Sequence, residues 1–292
     1  MTTAHPTRLA VLGLGQLGTA LAQAFLDGGH ELAVWNRTPA RADALIERGA
    51  RRAESVVDAV GSAELIVTVV SDYAAAEQLL APAADELRGR TIANLISGTP
   101  EQARALARWA DERGIGYLDG AAMSGTTLIG KPEALFIFSG SEETFAAHRS
   151  TLSALGNAVH LGSDAGLAAM YDTALLGLIW GSLSGFYHGA ALLGTEQVAA
   201  RTFAKVAVGH LSFIARLFAE HAGQLDRGEF SDADGTIEVH VEAVNHLLET
   251  SRRQGIDTAV PELFAQLLQR GIASGRGDSG VAAVAESIRS GV

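Results

Sequence analysis

Three glycines near the start of the chain restrict its folding more than any other feature. Gly13, Gly15 and Gly18 stand in G-x-G-x-x-G spacing directly after a short apolar run, Arg8 to Leu12. Thr19 to Leu26 is rich in Ala and Leu with a helical pattern, Gly28-Gly29 stops it, and Glu31 to Trp35 reads as a second strand. Strand, tight turn, helix, strand is the order of a dinucleotide-binding βαβ unit. In such a unit Gly13 permits the sharp turn, Gly15 lets a pyrophosphate approach the backbone, and Gly18 lets the helix pack close to the sheet. Leu14, Gln16 and Leu17 complete the loop, which ends at a helix N-terminus with free N–H groups and a partial positive charge.

The residues after the second strand select the cofactor. An NAD site places an acidic residue there to accept from the ribose 2′-OH. This chain has Asn36, followed by Arg37 and Thr38, with Arg41 a helical step beyond. Asn36 does not repel a 2′-phosphate, Arg37 can hold one bidentately, and Thr38 can donate a hydroxyl. The reading is NADPH over NADH; the alternative for Arg37 and Arg41 is that they are solvated surface charges.

Beyond Thr38 the alternation continues. Helices are expected over Arg41–Arg48, Tyr73–Leu87, Glu101–Arg113 and Glu143–Ser153. Strands are expected over Glu64–Val70, Thr91–Leu95, Gly116–Leu118, Ala134–Ser139 and Asn157–Leu161. This predicts a mostly parallel, doubly wound sheet. From Ala165 the pattern turns all-helical: Gly166–Gly194, Val198–Gln224, Asp234–Gln254, Pro261–Gly271 and Ser279–Arg289. The expected organisation is a Rossmann domain over residues 1–163, a long interdomain helix over 164–195, and a helical dimerisation and substrate domain over 196–292. Leu211, Phe213, Ile214, Leu217 and Phe218 put apolar groups on several faces of one helix, which needs burial on several sides. A homodimer with interlocked helical halves and an active site drawn from both chains is the expectation.

The totals exclude other classes. A net charge of −11 disfavours nucleic acid and anionic membrane surfaces as partners. Without cysteine there is no disulfide, thiolate zinc site or catalytic thiol. MTTAHPTR lacks the basic head and apolar run of a signal peptide, and no uninterrupted apolar stretch has the length of a membrane span. A cytoplasmic location is expected.

Ligands of open α/β sheets sit beyond the carboxyl ends of the strands. Three loops are placed there: Val70-Ser71-Asp72, Asn94 to Pro100, and Asp119 to Gly125, which carries Met123 and Ser124. Thr99-Pro100 reads equally well as a helix start. Taken together, GLGQLGTALAQAFLDGGHELAVWNRT, NLISGTP, DGAAMSG and YDTALLG resemble the imine reductases, including the reductive aminases, relatives of the β-hydroxyacid dehydrogenases. The similarity runs along essentially the whole chain. A β-hydroxyacid dehydrogenase carries a catalytic lysine in a G-x-x-x-K-x-x-N pattern on the long helix. Aligned on Gly166, that pattern meets Met170 and Thr173 here. Met cannot transfer a proton, so the hydroxyacid reading loses its catalyst.

The resemblance implies an α/β Rossmann domain, a long interdomain helix, an all-α C-terminal domain and a domain-swapped homodimer. It implies NADPH as hydride donor and an imine, or a carbonyl plus an amine, as substrate. It assigns Asp172 to a position near the substrate nitrogen and Asn94 to the loop beside it. Trp180 stands where many members carry a Tyr or Asp regarded as proton donor, which is a departure. Leu176, Met123, Ser124, Tyr187 and His240 are further candidates for the substrate pocket.

Helix geometry ranks them. Asp172 and Trp180 lie roughly 80° and 12 Å apart, near enough to line one pocket. Tyr187 is about 22 Å along the axis from Asp172, and His188 is roughly 160° round from it. Asp172 is therefore expected to favour an iminium cation and Trp180 to wall the pocket, while His188 is read as structural. The alternatives are an Asp172 that caps the helix and a Trp180 that is core. Glu238 and His240 do not share a helical face, so a metal site with Asn245 nearby is not expected. Asp226–Asp234 reads as a solvated connection. Two further readings remain: a β-hydroxyacid dehydrogenase-like oxidoreductase, and a protein that binds NADPH without turnover.

Overall fold

The computed structural model describes residues 6–289. Residues 1–5, on which the reading of MTTAHPTR partly rests, lie outside them. The chain divides into two units, Met1–Gly177 and Leu178–Val292.

The first unit is built on one sheet of eight strands: β1 Arg8–Leu12, β2 Glu31–Trp35, β3 Arg51–Arg52, β4 Leu65–Thr68, β5 Thr91–Asn94, β6 Gly116–Ala122, β7 Leu135–Gly140 and β8 Asn157–His160. Their order is β3-β2-β1-β4-β5-β6-β7-β8. Every pairing is parallel except β6 with β7. The chain reverses direction across the sheet at β1, which places the switch point at the glycine turn.

The helices of this unit are α1 Gln16–Asp27, α2 Asp43–Ile46, α3 Val56–Gly61, α4 Tyr73–Leu80, α5 Ala84–Leu87, α6 Pro100–Asp111 and α7 Glu142–Leu152. They cover both faces, as a parallel sheet requires. One face packs Leu9, Val11, Leu21, Phe25, Phe136 and Phe138. The other packs Leu12, Ile66, Tyr73, Leu80, Ile92 and Tyr117.

The structure corrects the sequence reading in several places. The pair β3 and α3 was not expected, because Arg-Arg is a two-residue edge strand without an apolar signal. The expected helix over Tyr73–Leu87 is broken into α4, a 3₁₀ turn containing Pro82, and α5, since proline removes an interior N–H. Asp119 to Ala122 are not loop but the second half of β6, paired with Phe136 to Ser139 of β7. Gly120 makes that possible: a Cβ there would stand 2.7 Å from the Phe138 ring.

A long helix, α8 Gly166–Thr195, begins in the first unit. Its N-terminus is pinned to the sheet. The Asp164 carboxylate accepts from the Gly166 N–H at 3.0 Å and pairs with Arg104 of α6 through Nε at 2.9 Å and Nη2 at 2.8 Å. The Arg104 bonds hold the Asp164 pKa down to about 2, with the Gly166 bond second in effect. Ser139 of β7 donates to the Ala165 carbonyl and accepts from the Ala168 N–H, both at 2.9 Å.

The second unit contains the rest of α8, then α9 Ala200–Arg227, α10 Ile237–Arg253, α11 Ala259–Ala273 and α12 Val284–Arg289. Gly228 closes α9 in the left-handed conformation, which glycine adopts without steric cost. Its core is small, centred on Ile237, Leu268 and Ala283. Phe186 stacks on Phe203 at 5.4 Å, and Gly189 admits the Phe203 ring, which a Cβ would meet at 2.9 Å. Trp180, Tyr187, Val206, Val208, Leu211, Phe213 and Phe218 are all exposed.

By length and composition alone, α8 and α9 pass the test for a membrane-crossing helix, a test that the core helix of a soluble protein also passes. Neither helix is an uninterrupted apolar run: Asp172 stands in α8, and Arg201, Lys205, Arg216 and Glu220 in α9.

Candidate active site

A cleft of about 620 Å³ opens at the carboxyl ends of β1, β2 and β4. Gly13, Leu14, Gly15, Asn36, Arg37, Thr38, Arg41, Val70 and Ser71 line it together with Trp35 and Gln78. Gly13 has φ +103°, and a Cβ on it would stand 2.1 Å from the Val69 carbonyl oxygen. A Cβ on Gly15, by contrast, would meet nothing within 4 Å and would project into open space. Only Gly15 is therefore spared for a ligand rather than for packing. The first turn of α1 carries no acidic residue, and its N-cap provides no side-chain bond, so its dipole is available to an anion.

Asn36 does two structural things here. Its Oδ1 accepts from the Leu14 N–H at 2.9 Å and its Nδ2 donates to the Thr38 carbonyl at 3.0 Å, which ties the glycine loop to the turn after β2. Arg41 reaches the Leu14 carbonyl at 3.4 Å. Among the described residues neither Arg37 nor Arg41 has a carboxylate partner. Two unneutralised guanidiniums at the ribose end of a dinucleotide cleft fit a 2′-phosphate. Ser71 and Asp72 also serve α4, where the Asp72 carboxylate accepts from the Ala75 N–H at 2.7 Å. Gln16 borders a neighbouring groove with Thr19 and Arg41, and Gly18 packs against Gly13.

The second constellation lies deeper, across the middle of the sheet. Thr68, Asn94, Asp119 and Ser139 are register partners on β4, β5, β6 and β7, and all four are fully buried. The Thr68 hydroxyl donates to Asn94 Oδ1 at 2.6 Å, and Asn94 Nδ2 faces Asp119 Oδ1 at 3.3 Å. The Tyr73 and Tyr117 hydroxyls each donate to the same Asp119 oxygen at 2.9 Å. Gly98 seats the Tyr73 ring, which a Cβ would meet at 2.5 Å. Asp119 Oδ2 is buried and has no partner among the described residues.

Asp172 completes this group. It is half-buried on α8, one turn beyond Ala169, which packs into the core beside Tyr73 and Tyr117. It is not the cap of the helix; Asp164 takes that place. Its charge reaches both Tyr73 and Asp119. Burial pushes the Asp119 carboxyl up to about 7, with the Asp172 charge adding to it and the bonds from Tyr117, Tyr73 and Asn94 opposing it. Burial, and then the Asp119 charge, raise the Tyr73 and Tyr117 hydroxyls as well.

Known proteins show the family. Residues 164–290 match the NADPH-dependent reductive aminase-like C-terminal domain, and residues 8–162 match the NAD binding domain of 6-phosphogluconate dehydrogenase. An NADPH-dependent reductive aminase of Aspergillus oryzae is 32% identical over 97% of each chain. The chain belongs to the imine reductase and reductive aminase family. The reductive aminase of Aspergillus terreus in complex with NADPH and ethyl levulinate superimposes with a TM-score of 0.90 at 36% identity, over 97% of this chain and 99% of that one. A Streptomyces aurantiacus imine reductase gives 0.91 at 30% identity, over 96% and 99%.

The other candidates are distributed between the units. Met123 is half-buried after β6, and Ser124 accepts from the Leu135 N–H at 2.9 Å, so its hydroxyl closes the β6–β7 turn. Leu176 is exposed on α8 in the first unit. Trp180 and Tyr187, exposed by 59% and 56%, belong to the second. So does His240, whose Nε2 lies 2.9 Å from the Asp234 carbonyl oxygen. His188 contacts the buried Ser251 hydroxyl at 3.2 Å. Among the described residues no cluster has the makings of a metal site.

Sequence reasoning passed over Tyr73, Tyr117 and Thr68 and put Asp119 in a loop. One signal was present: Tyr117 and Asp119 are two apart in a strand, on one face, and a buried acid needs such a neighbour.

Proposed function

We propose that this family member uses NADPH to reduce imines and iminium ions to amines, the imine arriving preformed or arising from a carbonyl and an amine. The observation that carries the reading is the placement of Asp172, a carboxylate on the long helix beside a buried polar network, with Met170 where a proton-transferring lysine would stand. NADPH, when bound, supplies the hydride. The glycine loop and α1 receive its pyrophosphate, and Arg37, Thr38 and Arg41 hold its 2′-phosphate. Val70 and Ser71 border the path toward the carboxyl ends of β4 and β5, where Asn94 lies.

An iminium is already a good acceptor, so the protein's task is positioning and electrostatics. Asp172 favours the cation by the attraction that raises the pKa of a base beside an anion. In the first unit Leu176, Met123 and Ser124 are proposed to border the substrate beside Asp172; in the second, Trp180, Tyr187 and His240 are proposed as further substrate contacts, Trp180 by offering its ring face to a cation.

The exposed apolar faces of α8 and α9 support a homodimer. A unit with so small a core leaves Val206, Val208, Leu211, Phe213 and Phe218 uncovered, and a second copy is the occupant that domain exchange along α8 would bring. The active site would then draw on both chains, and the protein would act in the cytoplasm without membrane or nucleic-acid partners.

The direct test is NADPH consumption with a small cyclic imine, wild type against Asp172→Ala. The variant is expected to lose about two orders of magnitude or more, the scale of a positioned electrostatic group. Full activity in the variant would remove Asp172 from the mechanism, and tight NADPH binding without turnover on any imine would favour a non-catalytic protein.

A further inference from the structure

Among the described residues Asp119 is the one buried acid at the carboxyl ends of the central strands, and the reaction as described does not use it. A buried carboxyl without a cation is costly, and such groups persist where they serve a site. Three donors converge on its Oδ1, from Tyr73, Tyr117 and Asn94, while Oδ2 has none among the described residues. The three donors come from three different elements, α4, β6 and β5, and two of them bear on the proposed site. The Asn94 amide is fixed in orientation because Thr68 occupies its oxygen and Asp119 one of its N–H groups. The Tyr73 hydroxyl, committed as donor to Asp119, keeps its lone pairs for another partner.

We propose that Asp119 is a positioning residue of this site, a buried carboxyl that orients the Asn94 amide and the Tyr73 hydroxyl and sets the charge beside which Asp172 works. The titratable groups that act on it are Tyr117 from its own strand, Tyr73 from α4 and Asp172 from α8. Burial is the main cause that keeps the proton on Asp119, and the negative charge of Asp172 adds to it. Below neutrality Asp119 keeps its proton. Above it Asp119 ionises, and a cation bound beside Asp172 experiences one more negative charge. The reaction is unchanged in its atoms; only the field in which it occurs is altered.

This inference rests on the imine-reducing reading, and the experiment separates the two. An N-alkylated cyclic iminium salt is permanently charged, so no substrate protonation enters its pH profile. With it, kcat/KM of the wild type is expected to rise about tenfold through an inflection near pH 7, as a second negative charge appears near the cation. Asp119→Asn, which preserves size and most hydrogen bonds, is expected to show a flat profile at the level of the acidic limb. Tyr73→Phe removes a bond that favours the ionised acid and should move the inflection upward. Asp172→Asn removes a repulsion and should move it downward.

Infrared titration of the protein alone gives a readout independent of turnover. The C=O band of a buried carboxylic acid should be present at pH 6, fade through about 7, shift as stated in Tyr73→Phe and Asp172→Asn, and be missing from Asp119→Asn. A wild type with no such band at pH 6 overturns the inference, as does an Asp119→Asn enzyme with the wild-type pH profile. If the wild type reduces no iminium, the functional reading falls, and the infrared shifts decide the inference by themselves.

Discussion

Gly18 packs against the carbonyl oxygen of Gly13 so closely that a Cβ on it would stand 2.0 Å from that atom, whereas a Cβ on Gly15 would meet nothing within 4 Å. The glycines of one motif thus do different physical work, and two substitutions separate them. Gly18→Ala forces helix and turn apart and is expected to lower stability by about 1–3 kcal/mol, as overpacking does. Gly15→Ala should leave thermal stability near that of the wild type and weaken NADPH binding about tenfold or more, because the new methyl occupies the path of the pyrophosphate. Thermal shift and NADPH titration on both variants check the contrast; equal losses of stability would refute it.

Arg37 and Arg41 line the cleft, and neither has a carboxylate partner among the described residues. Each charge-assisted bond to a phosphate is worth about 1.5–3 kcal/mol. Arg37→Ala should therefore raise the Kd for NADPH about 10- to 100-fold while that for NADH changes little. Fluorescence titration with both nucleotides measures the difference. A uniform loss for both would place Arg37 at the pyrophosphate rather than at the 2′-phosphate.

The sheet was legible because its signals are local: apolar runs of strand length, glycine stops, and the spacing of Gly13, Gly15 and Gly18. The long helix was legible from Gly166 onward because no proline interrupts it. The Tyr73–Asp119–Asn94 network was not, because it depends on register. Asn94 and Asp119 become neighbours only once β5 and β6 align, and Tyr73 arrives from a helix 46 residues away from Asp119 in the chain. A strand that carries Asp-Gly in its middle also contradicts ordinary strand preference, and only the packing of Phe138 on Gly120 accounts for it.

Val206 and Phe213 lie on α9 and are exposed, as are Val208 and Phe218 on the same helix. If a second copy covers them, the chain in solution has twice the mass of 30.3 kDa. Light scattering after gel filtration should show that dimer. Val206→Glu combined with Phe213→Glu should shift it toward monomer, since an unpaired charge in an apolar interface costs several kcal/mol. A wild type that runs as a monomer without detergent would remove the shared active site. A protein recovered only from the membrane fraction would assign those faces to lipid.

Asp164 and Asp119 impose opposite pH dependences on stability. The Arg104 pair depresses the Asp164 pKa from 3.8 to about 2, so its stabilisation is present above 3.8 and is lost as pH falls toward 2. Solvent screens the pair, so the loss should be small. Asp119 has its pKa raised from 3.8 to about 7, chiefly by burial. The folded state then binds the proton more tightly than the unfolded chain between those values, and stability declines as pH rises from about 3.8 to 7. Asp119→Asn removes that decline. Chemical denaturation at several pH values should show the variant gaining on the wild type steadily across this interval and holding a constant advantage above it. A difference that does not vary with pH would mean that Asp119 is ionised throughout and that its burial is compensated by the Tyr73, Tyr117 and Asn94 bonds alone.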